Sequence, residues 1–333
     1  VGSDERALPF IRPAYQALLF VPFSLLPYRS AYLAFLTVNL VLLGMAYWVL
    51  RPHMSNLARV WRFLPVFVFL VFYPILLAMM QGQDSILLLV LLAAALAALE
   101  QGQERRAGIL LGLGLFKMQI VIPIALLFLL WRRWRFFAGF TLSAGLFSLI
   151  SLWVVGFAQT AAYARALLSV GTNVAAVHQF PLRVSIMANL RGLFFGLFGA
   201  RLPAFWIQVL TIVASAFVLL WAALRVDGKK RQADAFVIAI TVSLIVSYYL
   251  FIHDLSVLLV PIVITLDRFI LERPDAPATP LDRAAWMSAA LLVAPMSIFL
   301  IPEHFYLLAL VECAFMVTLI RGYREPEQIN SVR

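Results

Sequence analysis

The sequence has a single cysteine and few charged residues. Cys313 lies inside an apolar run, so the 333-residue chain has neither a disulfide framework nor a cysteine-rich metal site. Charged residues make up only 13% of the chain and hydrophobic ones 64%, more than a soluble domain of this size could bury. Repeated apolar runs have the length of a membrane span, and the period-2 alternation of a membrane β-barrel is missing. The composition therefore predicts an all-α, polytopic transmembrane helical bundle.

Basic residues outnumber acidic ones, and the net charge is +10. The positive-inside rule produces such an excess in the short loops of a membrane protein. No basic stripe is interleaved with aromatic residues, so we predict no nucleic-acid partner. The start, "VGSDERALPF", lacks the basic and apolar regions of a signal peptide. It also lacks methionine, so we expect either that an amino-terminal piece precedes this chain or that translation starts at an alternative codon.

Ten apolar runs are candidate transmembrane helices, and one shorter run precedes them. Residues 13–27, "PAYQALLFVPFSLLP", are bounded by prolines, and we expect a helix at the membrane interface there. The expected spans are 31–50, 63–80, 84–99, 107–130, 136–157, 203–225, 235–252, 255–271, 284–301 and 305–320. The sequence thus predicts about 10–11 membrane helices.

Two segments interrupt the series of spans. Residues 158–202 contain "YARALLSV" and "VSIMANLRGLFFGLFG", which have the pattern of amphipathic helices on the membrane surface. Residues 272–283, "ERPDAPATPLDR", are polar and rich in proline. They predict a boundary between a core module, 1–271, and a carboxy-terminal pair of transmembrane helices with a short tail, 272–333.

The apolar run 107–130 contains one charged side chain, Lys117. A straight helix through this run would place Lys117 near the bilayer centre, which costs about 3 kcal/mol on insertion scales. Two short helices that meet between Lys117 and Pro123 would place it at a polar surface, and Pro123 favours a break or a kink. The two-helix interpretation also collects most of the 26 basic residues on one side. We therefore expect the run to turn back near Lys117.

This topology brings several polar groups to the side that is poor in arginine, which we expect to be extracytoplasmic. They are "QGQD" (81–84), Lys117, "HD" (253–254), "PEH" (302–304) and the loop with His178. A cation in a cavity at the membrane boundary, with Gln119 beside it, could hold a phosphate or a diphosphate. The alternative is a lysine that snorkels to the headgroups.

The other candidates also have structural alternatives. Asp84 could cap the helix that follows it. His253 and Asp254 could form an acid–base pair, although side chains at positions i and i+1 of a helix do not face each other. The alternative is a polar turn in which Asp254 is an N-cap. Glu312 in an apolar run could be functional or could bond to another helix. Arg12 could reach an anionic lipid or anchor the interfacial helix. No spacing matches a recurrent zinc motif, so we predict no metal.

Four stretches resemble one known family of membrane enzymes. They are "RPAYQALLFVPFSLLPYRSAYLAFLTVNLVLL", "QGQDSILLLVLLAAALAAL", "RRAGILLGLGLFKMQIVIPIALLFLLWRRWRFFAGF" and "YYLFIHDLSVLLVPIVI". Over 12–140 and 245–265 the chain is similar to the polyprenol-phosphate-mannose-dependent, mannosyltransferase-like glycosyltransferases of the GT-C superfamily. The resemblance implies a GT-C-like fold in the bacterial inner membrane. It also implies transfer of a mannose-like sugar, with inversion, from a polyprenyl-phosphate-sugar donor to a glycan or glycolipid acceptor on the extracytoplasmic face. Beyond this donor no cofactor is certain, and a divalent metal stays an open alternative without support in the sequence.

The resemblance implies roles for individual residues. Lys117 would meet the donor phosphate, and Gln83 and Asp84, with Gly82, would border the active-site cavity. His253 and Asp254 would lie at the rim of that cavity.

The chain departs from the family in two places. Met118 follows the lysine, where the family often has proline. The general base of these enzymes lies in a first outer loop after a first helix, and neither Asp4 nor Glu5 matches it. We therefore expect the first helix, the first outer loop and the base to be missing from this chain.

Two other functions stay open at this point. A transporter or flippase for a lipid-linked or anionic substrate would need polar groups along a path through the bilayer, and apart from Glu312 the expected spans lack them. A non-catalytic membrane scaffold is the second alternative, which the missing base favours.

Overall fold

A computed structural model describes residues 13–170, 184–229, 231–272 and 280–330, and this part of the chain contains helices and no strand. The α-helices are α1 Ala14–Ser24, α2 Tyr28–Leu50, α3 Ser55–Val60, α4 Leu64–Val71, α5 Tyr73–Met80, α6 Ser85–Glu100, α7 Glu104–Leu113, α8 Met118–Leu130, α9 Trp134–Val170, α10 Leu190–Phe198, α11 Ala204–Arg225, α12 Gln232–Val246, α13 Leu259–Glu272, α14 Pro280–Val293 and α15 Leu308–Asn330. Five helical stretches among these residues are long and apolar enough to cross a membrane. The predicted all-α membrane bundle is confirmed.

The expected span 63–80 is not one helix. It is split into α4 and α5 at Phe72, whose φ of −69° and ψ of 98° are not helical. Pro74 explains the break, because it has no N–H for the carbonyl of residue 70 and its ring would clash with that carbonyl. The prediction of a continuous span was therefore wrong here.

Other boundaries also differ from the predicted ones. The expected span 235–252 ends early, because α12 stops at Val246 and a 3-10 segment begins at Ile252. The spans 284–301 and 305–320 both include 3-10 turns, Ala294–Phe299 and Pro302–Leu307. In α9 the helix is interrupted at Gly156, whose φ of 78° and ψ of 170° only glycine adopts readily.

The short amino-terminal helix α1 is seated on the bundle. Tyr15 and Gln16 are buried, the Tyr15 N–H donates to Ser151 Oγ of α9 at 3.0 Å, and the Tyr15 ring lies 4.7 Å from that of Phe147. These contacts fix α1 against α9, so Gln16 points into the protein. Arg12, the residue predicted next to this helix, lies outside the described residues.

The loops at one end of the bundle are tied together by polar contacts, and we call this the arginine-rich end. Asp234 pairs with Arg231 and Arg268, and His53 Nε2 lies 3.1 Å from Glu100 Oε2. Asp267 accepts from the backbone of Asn56 and Leu57, and Glu104 pairs with Arg133. The opposite, arginine-poor end contains Lys117, Asp84 and Asp254.

The helices α7 and α8 form a hairpin around the 3-10 segment Gly114–Lys117. By length and composition alone, Glu104–Leu130 could be one span of 27 residues. A straight helix of that length would hold its ends about 40 Å apart. Instead Glu104 pairs with Arg133, just beyond the end of α8, and a Cβ added to Gly114 would lie 3.1 Å from Val121 Cγ1. The run therefore turns back on itself at the arginine-poor end.

The break lies at the Lys117 end of the predicted interval from Lys117 to Pro123. Pro123 lies inside α8 and does not end a helix. The turn comes earlier, at Lys117, whose φ of −113° and ψ of 55° leave the helical region. Two glycines allow α7 to pack closely on α9. A Cβ on Gly108 would lie 1.9 Å from Phe136 O, and a Cβ on Gly112 would lie 2.1 Å from Ser143 Oγ. Close backbone approach through glycine is a common way to pack membrane helices.

The carboxy-terminal helices are part of the same bundle. The helix α14 packs on α13 and α15, and α15 packs on α12. Of the predicted boundary segment 272–283, residues 273–279 lie outside the described residues.

Candidate functional site

Three residues from distant parts of the sequence meet at the arginine-poor end. Lys117 Nζ lies 2.6 Å from Asp254 Oδ1 and 3.1 Å from Asp84 Oδ1. Only 1% of Lys117, 7% of Asp84 and 1% of Asp254 is exposed. Because burial of an unpaired charge is costly, each of the three depends on the others. We call Lys117, Asp84 and Asp254 the buried charge cluster.

Each member of the cluster lies in or next to a break between α-helices. Lys117 is the last residue of the 3-10 turn between α7 and α8. Asp84 follows a tight turn in which Gly82 has a φ of +59°, and it occupies the residue before α6. Asp254 lies in the 3-10 segment Ile252–Leu258, which precedes α13. Three breaks between α-helices thus meet at one point, and each contributes one charged side chain.

Asp84 stands at the N-cap position of α6, but its carboxylate does not cap the helix. It makes no side-chain capping hydrogen bond. Its Oδ2 accepts a hydrogen bond from Gln16 Nε2 of α1, and its Oδ1 faces Lys117. The alternative of a simple helix cap is therefore wrong, because tertiary partners bind the carboxylate.

The Asp254 carboxylate is surrounded by donors. Oδ1 accepts from Lys117 Nζ and, at 2.9 Å, from Ser85 Oγ, while Oδ2 accepts from the Phe251 N–H at 3.2 Å. Burial acts to raise the pKa of Asp254, but the Lys117 ammonium, His253 and the hydrogen bonds outweigh it. The net result is a pKa well below the usual value for aspartate, so Asp254 is ionised at neutral pH.

His253 joins the cluster at its edge. Its Nδ1 lies 2.9 Å from Gln81 Oε1, its Nε2 lies 3.6 Å from Asp254 Oδ1, and its ring stacks on Phe251 at 5.5 Å. The expectation that neighbours in sequence do not face each other was wrong here. The two residues are adjacent in the 3-10 segment Ile252–Leu258, and the His253 ring still comes within ion-pair distance of the Asp254 carboxylate.

Some predicted residues lie outside the cluster. Gln119, at the start of α8, is half-buried and makes no hydrogen bond or ion pair among the described residues. Gln83 is half-buried in the turn before α6, beside the cluster rather than in it. His304 is exposed at the 3-10 turn before α15, and His178 lies outside the described residues.

Glu312 is fully buried in α15, and neither carboxylate oxygen has a hydrogen-bond partner among the described residues. Hence the alternative of a hydrogen bond from Glu312 to another helix has no support in this arrangement.

Two residues of the site were missed by sequence reasoning, Gln16 and Ser85. Gln16 is the only amide side chain in the apolar stretch 14–24, and Ser85 directly follows "QGQD". An isolated amide in an apolar helix was the available signal, since a buried amide needs a partner.

A second polar group lies at the same end and is built on α10 and the segment after α12. The Asn189 side chain accepts from Gly192 N at 2.8 Å, which caps α10, and donates to Ser247 O at 2.8 Å. The Arg191 guanidinium lies 4.1 Å from the ring centre of Tyr248 and 5.0 Å from that of Tyr249. Tyr249 of this group precedes Phe251 by two residues, and the Phe251 N–H donates to Asp254 Oδ2.

Among the described residues, no three or more His, Cys, Asp or Glu side chains are grouped as a metal site would require. The charges of the cluster add up to −1 when His253 is neutral, because two carboxylates face one ammonium. The arrangement holds two carboxylates at fixed positions around one ammonium.

The family model for glycosyltransferase family 87 matches residues 10–247. No curated protein and no solved structure matches the chain. The family match covers α1, Asp84 and Lys117 and ends a few residues before His253 and Asp254. The chain belongs to glycosyltransferase family 87.

Proposed function

We propose that this member of glycosyltransferase family 87 transfers a mannose-like sugar from a polyprenyl-phosphate-sugar donor to a hydroxyl of a glycan or glycolipid acceptor. The observation that carries the proposal is the buried charge cluster, in which Lys117 lies between Asp84 and Asp254. It lies at the arginine-poor end, which the positive-inside rule makes extracytoplasmic in a bacterial inner membrane. A lipid-linked donor suits this position, because its polyprenyl chain stays in the bilayer while its sugar lies at the surface.

The reaction makes one bond and breaks one bond at the anomeric carbon. The acceptor oxygen attacks that carbon and loses its proton to a carboxylate, while polyprenyl phosphate leaves with the electron pair of the broken C–O bond. Attack from the face opposite the phosphate inverts the configuration. The leaving group gains negative charge, so a cation nearby lowers the barrier.

The contacts support a positioning role for Lys117 and its two partners. The Asp254 carboxylate already accepts three hydrogen bonds, and the Asp84 carboxylate faces Gln16 and Lys117. Carboxylates so occupied are better suited to holding sugar hydroxyls in place than to removing a proton. Lys117 holds both of them at fixed positions, and its predicted contact with the donor phosphate would require it to give up one of the two carboxylates.

The test is sugar transfer by the full-length protein in nanodiscs. We expect labelled sugar from a panel of polyprenyl-phosphate sugars to appear in a glycan or glycolipid, and Lys117→Ala to abolish this transfer while the protein still inserts. Transfer from nucleotide sugars alone would contradict the donor class. Normal transfer by Lys117→Ala would contradict the site. Movement of the lipid across liposomes with no transfer would favour a flippase instead.

A further inference from the structure

The buried charge cluster leaves the donor phosphate without a cation. Lys117 is neutralised by Asp84 and Asp254, and the cluster as a whole is negative. A phosphate that approached Lys117 would meet two carboxylates at close range, where the local dielectric is low and like charges repel strongly. If the function proposed above holds, another positive group at the same end must meet the phosphate.

Arg191 is a half-buried cation with its charge still available. It contacts no carboxylate among the described residues, and its polar contacts go to neutral groups, the Tyr248 backbone carbonyl at 3.3 Å from Nη1 and the Tyr249 side chain. The two tyrosine rings stabilise the guanidinium through cation–π contacts that leave its positive charge in place. A guanidinium has five N–H donors in a planar fork, a geometry that matches two phosphate oxygens at once.

The tyrosines around Arg191 add neutral donors. Burial raises the pKa of Tyr248 and of Tyr249, and the Arg191 charge only partly opposes this. Both phenols therefore stay protonated at neutral pH and cannot neutralise the guanidinium as a carboxylate would. Their rings lie 4.9 Å apart in an edge-to-face arrangement, which fixes the platform under Arg191.

Arg191 is placed next to the cluster by the chain itself. Tyr249 and Phe251 are two residues apart, so their Cα atoms lie no more than about 7 Å from each other. The Phe251 N–H donates to Asp254 Oδ2, and the Phe251 ring stacks on His253. A phosphate at Arg191 would thus lie at the same end as the carboxylates proposed to hold the sugar, without lying between them.

We propose that Arg191, on its Tyr248–Tyr249 platform, binds the phosphate of the lipid substrate, and that Lys117 does not. The ligand chemistry is a phosphate ester at the membrane surface. This inference rests on the function proposed above for its lipid-linked donor, but it is tested by binding and not by transfer.

The experiment measures binding of a polyprenyl phosphate, and of the same polyprenol without its phosphate, to the full chain in nanodiscs. Wild type, Arg191→Gln and Arg191→Lys are compared, with Arg201→Gln as the matched control because Arg201 is exposed between α10 and α11. We expect Arg191→Gln to weaken binding of polyprenyl phosphate about tenfold or more, because the substitution removes charge-assisted hydrogen bonds to the phosphate. Binding of polyprenol should stay unchanged, Arg191→Lys should be intermediate, and Arg201→Gln should resemble wild type.

Three outcomes would overturn the inference. Unchanged phosphate binding in Arg191→Gln is the first. The second is an equal loss for the phosphate and for the polyprenol, which would make Arg191 a packing residue. The third is equally tight, Arg191-dependent binding of phosphatidylglycerol vesicles, which would identify a site for bulk headgroups. Phosphate-dependent binding without any sugar transfer would leave this inference standing and contradict the proposed function.

Discussion

The Lys117 ammonium lies 2.6 Å from Asp254 Oδ1, although 137 positions separate the two residues in the sequence. Both are almost fully buried, so water cannot solvate either charge if its partner is lost. Lys117→Met keeps the length of the side chain and leaves two carboxylates facing each other. We expect it to destabilise the protein by about 3–5 kcal/mol, measured as unfolding in detergent.

Removing the carboxylates together with the cation should restore part of that stability. The triple variant Lys117→Met, Asp84→Asn, Asp254→Asn has no unpaired charge in the cluster, and replacement of buried ionic groups by neutral ones is often tolerated. We expect its unfolding temperature to lie above that of Lys117→Met alone while transfer stays lost. A triple variant less stable than Lys117→Met would contradict the pairing.

Asp254 also predicts how stability depends on pH. Its pKa is lowered in the folded protein, so the unfolded chain takes up the proton first as the pH falls towards 3.8, the ordinary value. The stability that Asp254 contributes is therefore present above this pH and is lost below it. Between about pH 5 and pH 3, the unfolding temperature should fall less steeply in Asp254→Asn than in wild type. The exposed control Asp227→Asn should follow wild type, and equal slopes for all three would count against this account.

Gln16 predicts a positioning effect on transfer. Its amide donates to Asp84 Oδ2, and Gln16→Glu would place a second carboxylate against the first. We expect kcat to fall about tenfold or more with a smaller change in KM, because Asp84 moves while the donor-lipid site stays. The matched control is Gln101→Glu, an exposed glutamine at the arginine-rich end. An equal effect of both substitutions would point to a loss of net positive charge instead.

Lys117 and the α7–α8 turn could be predicted from the sequence, whereas the isolated amide of Gln16 indicated a need for a partner but not which partner it has. A single charge in an apolar run is costly to bury in the bilayer, and this cost follows from the local sequence alone. The distribution of arginines gives an independent test of the topology. The bond between Gln16 and Asp84 depends on how α1 is seated on α9, which no local pattern encodes. Asp84 shows the same limit. The local sequence indicates a helix cap, but its carboxylate contacts Gln16 and Lys117, which lie far away in the sequence.

The α7–α9 contact predicts a sensitive glycine. A Cβ on Gly108 would lie 1.9 Å from the backbone carbonyl of Phe136, which cannot give way without moving α9. Gly108→Ala should therefore lower the unfolding temperature and the transfer rate, because overpacking of this kind costs about 1–3 kcal/mol and shifts the arm that carries Lys117. Gly145→Ala is the control in α9, with no atom within 4 Å of the added Cβ. Equal tolerance at both positions would show that the two helices do not pack this closely.

The hairpin of α7 and α8 predicts which loops share a side of the membrane. Since Glu104 pairs with Arg133, the turns before α7 and after α8 lie at one end, and Tyr28 at the start of α2 lies at the other. We would replace Cys313 by serine and introduce single cysteines at the exposed positions Gln101, Arg135 and Tyr28. A membrane-impermeant thiol reagent added to spheroplasts should label Tyr28→Cys and spare the other two. In inverted vesicles it should label Gln101→Cys and Arg135→Cys together. Labelling of those two from opposite sides would mean that the run crosses the membrane once, with Lys117 inside the bilayer, and the proposed site would then be lost.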